Sequence, residues 1–280
     1  MPDRRPAAAS ASQRGRLLVS RRVSTPLTRR LRPLPAARYV HPKALAAPAE
    51  AGEHDHNLDV ADESSPNYLR WIADLIEPHL GRRVLELGAG IGSITQLYSA
   101  GHDVLAIDLS DQCVAALRQR FAGSPNVSVR QQDLRKLEAA GERFDSVLMV
   151  NVLEHIQDDA GVLSTLPTVL EPGGTIVIYV PALNALYGRW DHNVGHYRRY
   201  SKWRMREVAH EAGLHVLELR YVNALAIPAW VAFSRTDVDR TQSASLSIWD
   251  RTGVPVSRAL EQRIPIPIGL NVLAVLGAPR

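Results

Sequence analysis

One short segment constrains the fold of this chain more than any other. Residues 84–87 form an apolar run interrupted by one acid, Glu86, and three glycines follow at alternate positions, Gly88, Gly90 and Gly92. A helical pattern begins directly afterwards, so the segment predicts a buried strand, a tight turn and a helix. Glycine is needed in such a turn where the backbone takes positive φ angles or where a ligand lies against it. A sharp strand-to-helix corner without a ligand is the alternative interpretation.

The spacing of the glycines distinguishes two kinds of ligand. A dinucleotide-binding turn has the pattern G-x-G-x-x-G, and its third glycine packs against the following helix. Here Ser93 stands at that third position, and the last glycine comes one residue earlier. Glu86 precedes the turn, and a carboxylate there suits a cationic amine better than a phosphate. The segment therefore favours a ligand without phosphate groups.

Polar side chains also follow the next predicted strands. The second strand ends at Asp108, 20 residues after Gly88, which is the offset at which an acid can bind both ribose hydroxyls. Asp133 follows the third strand, and Asn151 follows the fourth. Ligands of such sheets bind over the carboxyl ends of the strands. We therefore expect these side chains to line one cleft.

Strand and helix patterns alternate from residue 83 to residue 180, which predicts a doubly wound parallel sheet with right-handed crossovers. A leading helix is expected to begin at Pro66 after Ser65, and a later one to run from Lys202 to about Ala212, between Ser201 and Gly213. The predicted strands are 84–87, 102–108, 127–131, 144–150, 175–180, 214–221 and 269–276.

The charge is concentrated at the amino-terminal end. Residues 1–50 carry ten arginines and one lysine against two acids, whereas the whole chain has a net charge of only +4. The rest of the chain is therefore net acidic, which argues against a nucleic-acid partner. We predict a basic tail over residues 1–57, either disordered or forming a short docking helix at 13–23. A transit peptide and a start codon assigned too far upstream are other interpretations, and the tail is also a candidate homo-oligomer contact.

Cysteine usage and hydropathy bear on location and class. Cys113 is the only cysteine, so the chain has no internal disulfide, and we predict a reducing, cytoplasmic environment. No uncharged apolar run reaches the length of a membrane span, and we expect no stable membrane insertion. The spacing of the histidines gives no metal-ligand motif, so no bound metal is predicted.

Taken together, these motifs resemble those of the class I S-adenosylmethionine-dependent methyltransferases. The G-x-G-x-G pattern after an acidic strand end is similar to motif I of that family, residues 151–156 (NVLEHI) to its loop beneath the cofactor, and residues 171–174 (EPGG) to its P-G-G turn. The resemblance implies an α/β fold with a doubly wound, mostly parallel seven-stranded sheet and an antiparallel last strand. It implies one methyltransferase domain over residues 58–280 and S-adenosylmethionine as the cofactor.

The resemblance also implies which residues hold that cofactor. An acid at Asp108 would bind the ribose, and an acid at Asp133 would take the adenine amino group with Leu134 against the ring. The complete predicted cofactor-binding set is Glu86, Gly88, Ala89, Gly90, Asp108, Leu109, Asp133, Leu134 and Asn151.

A loop expected at 181–200 follows the fifth strand, so it can lie over the transferred methyl group, and residues 223–262 are expected on the same acceptor side. The end of the 181–200 loop is aromatic, histidine-bearing and basic. It resembles the D-x-x-x-G-H-Y-R-R-Y segment of a bacterial subgroup of these methyltransferases that acts on small molecules. The catalytic candidates are His196, His155, Tyr197 and Tyr200, and the acceptor-binding candidates are Tyr187, Trp190, His192 and Arg198. The alternative is a structural clasp in which Asp191 and the arginines hold the loop in place.

The predicted function is methyl transfer to a small, rather apolar acceptor, a natural-product intermediate of secondary metabolism. Methylation at oxygen, nitrogen or carbon stays open, including C-methylation of a prenyl alkene. An NAD-dependent oxidoreductase is the alternative from another enzyme class, and Ser93 counts against it. The third hypothesis is a non-catalytic regulator that binds the cofactor.

Overall fold

The computed structural model of the protein describes residues 65–234 and 243–278. A seven-stranded sheet forms its centre. The strands are β1 Arg83–Leu87, β2 Asp103–Asp108, β3 Val127–Gln131, β4 Phe144–Val150, β5 Leu170–Pro181, β6 His215–Val222 and β7 Asn271–Gly277. Their order across the sheet is β3-β2-β1-β4-β5-β7-β6. Strands β1 to β5 pair in parallel, and β7 lies antiparallel between β5 and β6. The predicted fold class is confirmed, whereas the predictions for residues 1–57 lie outside the described residues.

Helices connect the strands and cover both faces of the sheet. They are α1 Pro66–Ile76, α2 Thr95–Tyr98, α3 Asp111–Arg120, α4 Leu134–Ala140, α5 Asp159–Thr165, α6 Arg189–Asn193, α7 Lys202–Glu211, α8 Ala226–Ser234 and α9 Ser243–Glu261. Ser201 caps α7 by accepting a hydrogen bond from the Arg204 amide, and Gly213 follows with φ +73°, as the sequence predicts. Ser65 makes no such side-chain bond at α1. Within the described ranges, no helix is long and apolar enough to cross a membrane.

The core forms on the two faces of this sheet because successive strand residues point to opposite sides. Val84 packs with Trp71 and Ile76 of α1 on one face. Leu85 packs with Leu163 of α5 and other residues on the opposite face. Central strands buried on both sides explain why β7 and residues 147–150 of β4 read as continuous apolar runs.

Two segments differ from the predicted elements. Strand β5 begins at Leu170 rather than at residue 175, because the expected turn at 171–174 continues the strand through a bulge opposite β4, with Gly173 at φ +84°. The expected loop at 181–200 contains helix α6 and a bridge that pairs Ala182 with Tyr200.

The loops after the central strands meet at the carboxyl edge of the sheet. The amides of Gly88 and Ala89 donate hydrogen bonds to the Ile107 carbonyl at 2.9 and 3.1 Å. A Cβ atom on Gly88 would lie 2.7 Å from Cγ2 of Val152, in the loop after β4. Because chain order reverses between β1 and β4, this edge is the expected ligand position of a doubly wound sheet.

Alanine at Gly92 tests the packing behind the turn. Its Cβ would lie 2.7 Å from Cε2 of Phe121 and 2.9 Å from Cδ2 of Leu117, at a φ of +87°. We expect Gly92→Ala to lower the free energy of unfolding by about 1–3 kcal/mol, because crowding and positive φ both oppose the new methyl group. Urea unfolding followed by tryptophan fluorescence measures the change. Gly101→Ala is the control, since nothing lies within 4 Å of its Cβ; an equal loss in both variants would contradict this account.

Candidate active site

The glycine turn adopts the backbone that the sequence predicts. Gly88, Gly90 and Gly92 have φ angles of +67°, +56° and +87°. This left-handed region is open to glycine and strained for other residues. At Gly88 and Gly90 the turn therefore presents backbone without a side chain at the carboxyl end of β1.

Asp108 lies at the end of β2 and faces this turn. Its Oδ2 accepts a hydrogen bond from the Gly90 amide at 2.9 Å, and its Oδ1 accepts one from the Ser110 amide at 2.9 Å. A carboxylate offers about four acceptor positions, so two remain for a ligand. The side chain is half-buried, and these free positions fit the two hydroxyls of a ribose.

Glu86 is buried beneath the same edge. The hydroxyls of Thr95 and Tyr98 donate hydrogen bonds to its Oε2 at 2.7 and 2.8 Å. Burial raises the pKa of Glu86 to about 7, the two hydroxyl bonds oppose that rise, and the negative charge of Asp108 adds to it. A cationic group of a ligand would favour the charged carboxylate.

The remaining cofactor candidates lie along the same strand ends. Asp133 caps α4, where its Oδ1 accepts a hydrogen bond from the Arg135 amide at 2.9 Å and its Oδ2 lies 2.8 Å from the Arg135 guanidinium. Leu134 is buried, whereas Leu109 is exposed. Asn151 is exposed after β4 and has a positive φ of +51°.

Asp191 is the centre of the segment after β5. Its Oδ1 lies 2.9 Å from Nδ1 of His196 and accepts a hydrogen bond from Nε of Arg199 at 2.8 Å. Its Oδ2 accepts a hydrogen bond from the Gly188 amide at 3.0 Å. Burial alone would raise the pKa of Asp191, but the bonds from His196 and Arg199 outweigh it and lower the pKa below its usual value. These contacts match the predicted structural clasp.

Two of the predicted site residues form a second set of internal contacts. Nη1 of Arg198 lies 2.5 Å from Oδ2 of Asp159, and the Tyr200 hydroxyl donates to the same oxygen at 3.0 Å. Tyr200 is 0% exposed. An acceptor-facing role was expected for both, but the structure places their polar groups against Asp159, because a buried carboxylate needs such partners.

Other residues of this segment reach the surface. Tyr187 is 36% exposed and Tyr197 is 39% exposed. His192 is also exposed, and Trp190 is half-buried with its ring edge-on to His196 at 5.3 Å between centroids. The Tyr187 hydroxyl donates to the His196 carbonyl at 2.6 Å. These aromatic side chains are accessible on the segment after β5.

Sequence reasoning missed Glu154. Nε2 of His196 lies 3.9 Å from its Oε1, and the rings of His155 and His196 stack edge-on at 4.6 Å between centroids. Burial raises the pKa of Glu154 to about 8, against the opposing effects of a backbone hydrogen bond and the Arg199 charge. Glu154, His155 and His196 together offer three ligand atoms within 4.8 Å of one another. The sequence analysis predicted no such cluster, because about 40 residues separate His196 from the pair Glu154 and His155. The acid directly before His155 was the one feature of the sequence that pointed to it.

Comparison with known proteins agrees with this geometry. Residues 85–178 match a family model described as a methyltransferase domain. The ubiquinone biosynthesis O-methyltransferase of Paracidovorax citrulli (strain AAC00-1) is 35% identical over 118 residues, which cover 41% of this chain and 49% of that protein. The chain thus spans about half the length of the curated relatives it matches.

Solved structures show the same architecture. One chain from the complex of the Haloferax volcanii Trm112 methyltransferase activator with a methyltransferase has a TM-score of 0.59 at 20% identity, covering 84% of this chain and 98% of that one. The CcbJ methyltransferase from Streptomyces caelestis has a TM-score of 0.51 at 19% identity, with coverage of 78% and 92%. At these identities the similarity shows the fold alone.

The raised pKa of Glu86 makes stability depend on pH. Below pH 4.5, the ordinary pKa of this carboxyl, the group is protonated in both the folded and unfolded chain. As pH rises towards 7 the unfolded chain loses the proton first, so the contribution of Glu86 to stability falls. We expect Glu86→Gln, which does not titrate, to become more stable relative to wild type by up to about 3 kcal/mol between pH 5 and pH 8. Urea unfolding across this range measures the difference, and a constant difference would refute the assignment.

Proposed function

We propose that the chain is a class I S-adenosylmethionine-dependent methyltransferase, which the methyltransferase-domain match over residues 85–178 supports, and that it transfers the cofactor's methyl group to a small, rather apolar molecule, a natural-product intermediate. The observation that carries the proposal is the meeting of the bare glycine turn with the half-buried Asp108 carboxylate at the end of β2. A backbone surface beside a carboxylate with free acceptor positions suits a ribose and an amino-acid moiety without phosphate.

The residues at the strand ends have distinct roles in this proposal. Asp108 binds the ribose hydroxyls, and Glu86 provides negative charge beneath the turn for the cofactor's ammonium group. Leu109 offers an exposed apolar surface to the adenine, and Asp133 takes the adenine amino group. The bound cofactor supplies a methyl group activated by a sulfonium, so the protein chiefly aligns the acceptor and excludes water.

The acceptor is held by the surface after β5. Tyr187, Trp190 and Tyr197 provide aromatic area at the carboxyl edge of the sheet, which suits a flat and apolar molecule. We infer that the methylated atom is a hydroxyl oxygen; the O-methyltransferase name of the curated relatives supports this choice. Such an acceptor must lose a proton when its oxygen is methylated.

His196 is the proposed proton acceptor. Asp191 holds its Nδ1 at 2.9 Å, so Nδ1 carries the hydrogen and Nε2 is left as the basic nitrogen. His155 packs against its ring. Arg198 and Tyr200 hold the segment in place through Asp159 and are left out of the proposed chemistry. We also propose, as the sequence predicts, that the protein is cytoplasmic and has no nucleic-acid partner. The predicted oligomer contact through residues 1–57 stays a prediction.

Asp108→Ala tests the cofactor assignment. We expect it to weaken S-adenosylmethionine binding by about 1–3 kcal/mol, because two ribose hydroxyls lose their acceptor. Asp103→Ala is the matched control, since Asp103 is an exposed acid at the opposite end of the same strand. Calorimetric titration with S-adenosylmethionine and with NAD measures both affinities. Unchanged affinity in Asp108→Ala, or tighter binding of NAD by the wild type, would contradict the proposal.

His196→Ala tests the acceptor side. With methyl-labelled cofactor and a panel of small phenols, we expect the wild type to form a labelled product that mass spectrometry identifies. The variant should lose about 100-fold or more in kcat, because a general base is removed, while its affinity for the cofactor stays within about twofold. Thermal unfolding is followed in parallel. A variant that unfolds earlier yet turns over normally would assign His196 to the structural clasp alone.

A further inference from the structure

Helix α9 is apolar on the side that faces away from the protein. A surface helix normally turns its apolar stripe towards the core and its polar residues towards solvent. Alongside one valine, the inward side of α9 instead carries the buried Asp250 and Ser257 and the half-buried Glu261. Its outward side carries Ile248, which is 65% exposed, and Val256, which is 58% exposed. The fold therefore leaves large apolar side chains of this helix uncovered.

The acids on the inward side of α9 are held by the rest of the fold. Asp250 accepts hydrogen bonds from the backbone amide and the side-chain amide of Asn67, at 3.0 and 2.8 Å, where α1 begins. Glu261 accepts hydrogen bonds from the amides of Asn223 and Ala224, at 3.0 and 2.8 Å, directly after β6. These contacts fix the rotation of α9 about its axis, so its apolar outward side stays on the surface.

The uncovered surface continues beyond α9. Six of the twelve exposed large hydrophobic side chains in the described residues lie between β6 and β7, and we call them the aliphatic surface: Leu225, Ile248, Val256, Leu260, Ile264 and Ile268. The contact of Glu261 with Ala224 and a hydrogen bond from the Leu270 amide to the Asn223 carbonyl, at 3.3 Å, hold its parts together. Clustered exposed apolar side chains, unlike scattered ones, indicate an interaction site.

The exposed charges around the aliphatic surface are positive. Between residues 246 and 268, Arg251 and Arg263 are the exposed charged side chains, whereas Arg258 is paired with Asp74. Apolar side chains flanked by arginines suit a partner with an apolar interior and a negatively charged surface. A second copy docked on the same surface would instead bring like charges together.

The segment after α9 has a backbone that suits an apolar partner. Proline has no backbone N–H, so Pro265 and Pro267 remove two donors that lipid could not satisfy. The amides of Arg263 and Ile264 both donate to the Leu260 carbonyl at 3.0 Å. The backbone from residue 263 to residue 267 therefore keeps few donors that need water.

We propose that the aliphatic surface docks on an anionic lipid bilayer, with α9 lying in the plane of the interface rather than crossing the membrane. The aliphatic side chains enter the boundary between headgroups and acyl chains, and Arg251 and Arg263 contact the lipid phosphates. The structure supports the lipid through both requirements of an interfacial helix, an exposed apolar side and basic residues beside it.

The place of the aliphatic surface in the fold adds to the proposed function, on which this one consequence rests. Strand β6 ends and β7 begins at the carboxyl edge of the sheet, since Val222 and Pro181 both pair with Asn271. This is the edge proposed for the acceptor, so docking would bring it close to the lipid. The acceptor class would then be a phenol apolar enough to partition into a bilayer.

Vesicle binding by the full-length chain tests the proposal. Vesicles of equal parts phosphatidylglycerol and phosphatidylcholine are sedimented with the protein in about 0.1 M and about 1 M NaCl, because the higher salt screens the attraction of the basic residues 1–57. Binding that remains in the higher salt measures the apolar contribution. The wild type is expected to keep such binding.

Two double variants and a matched control locate the binding surface. One combines Ile248→Gln with Val256→Gln, and the other combines Ile264→Gln with Ile268→Gln. In the higher salt we expect each to lower the vesicle partition coefficient by at least about tenfold, because two aliphatic side chains no longer enter the lipid. Leu217→Gln is the control, since Leu217 is 62% exposed but lies on β6; its partition coefficient should stay within about twofold of wild type. Thermal unfolding checks that all variants are folded.

The outcomes separate this proposal from the proposed methyl transfer. Wild-type vesicle binding in both double variants, or loss of wild-type binding in the higher salt, would overturn the lipid surface. A wild-type dimer in ultracentrifugation that both double variants abolish would also overturn it, because a second copy would then cover this surface. Vesicle binding by a wild type that methylates no phenol would refute the proposed function and still support the docking surface.

Discussion

The parallel pairing of β1 with β2 and β4 is the constraint on which the rest of the site depends. Parallel strands bring their carboxyl ends to one edge, and the reversal of chain order between β1 and β4 opens a cleft there. Asp108 and Glu154 follow two of these strand ends, although 46 positions separate them in the sequence. These candidate residues lie at one edge of the sheet because the parallel pairing of the strands brings their carboxyl ends together there.

The cofactor side and the acceptor side of this edge were predictable from the sequence to different degrees. The turn at Gly88 and the acid at Asp108 are set by local backbone needs and by strand spacing, and both are visible in the sequence. The partners of Arg198 and Tyr200 are set by tertiary distances, and both side chains contact Asp159 rather than a ligand surface. The histidine and acid cluster was missed for the same reason, since no short spacing motif connects Glu154 to His196. The early start of β5 was missed because its glycines suggest a turn, whereas the sheet accommodates them as a bulge.

Asp191 connects the fold to the chemistry on the acceptor side. Among the described contacts, one carboxylate binds a backbone amide, an imidazole and a guanidinium, all on the segment that carries the aromatic residues. The structural clasp and the proposed catalytic role of His196 are therefore compatible, because the contact that fixes the segment also selects which ring nitrogen is left for chemistry.

The two buried glutamates solve the same physical problem in different ways. Glu86 receives two hydroxyl hydrogen bonds, from Thr95 and Tyr98, so the fold itself satisfies it. Glu154 receives none at its carboxylate, although burial raises the pKa of both groups. Oε1 of Glu154 instead lies 3.9 Å from Nε2 of His196, the ring that Asp191 orients through Nδ1. Glu86, at the end of β1 beneath the glycine turn, is the acid of the two that we assign to the cofactor side.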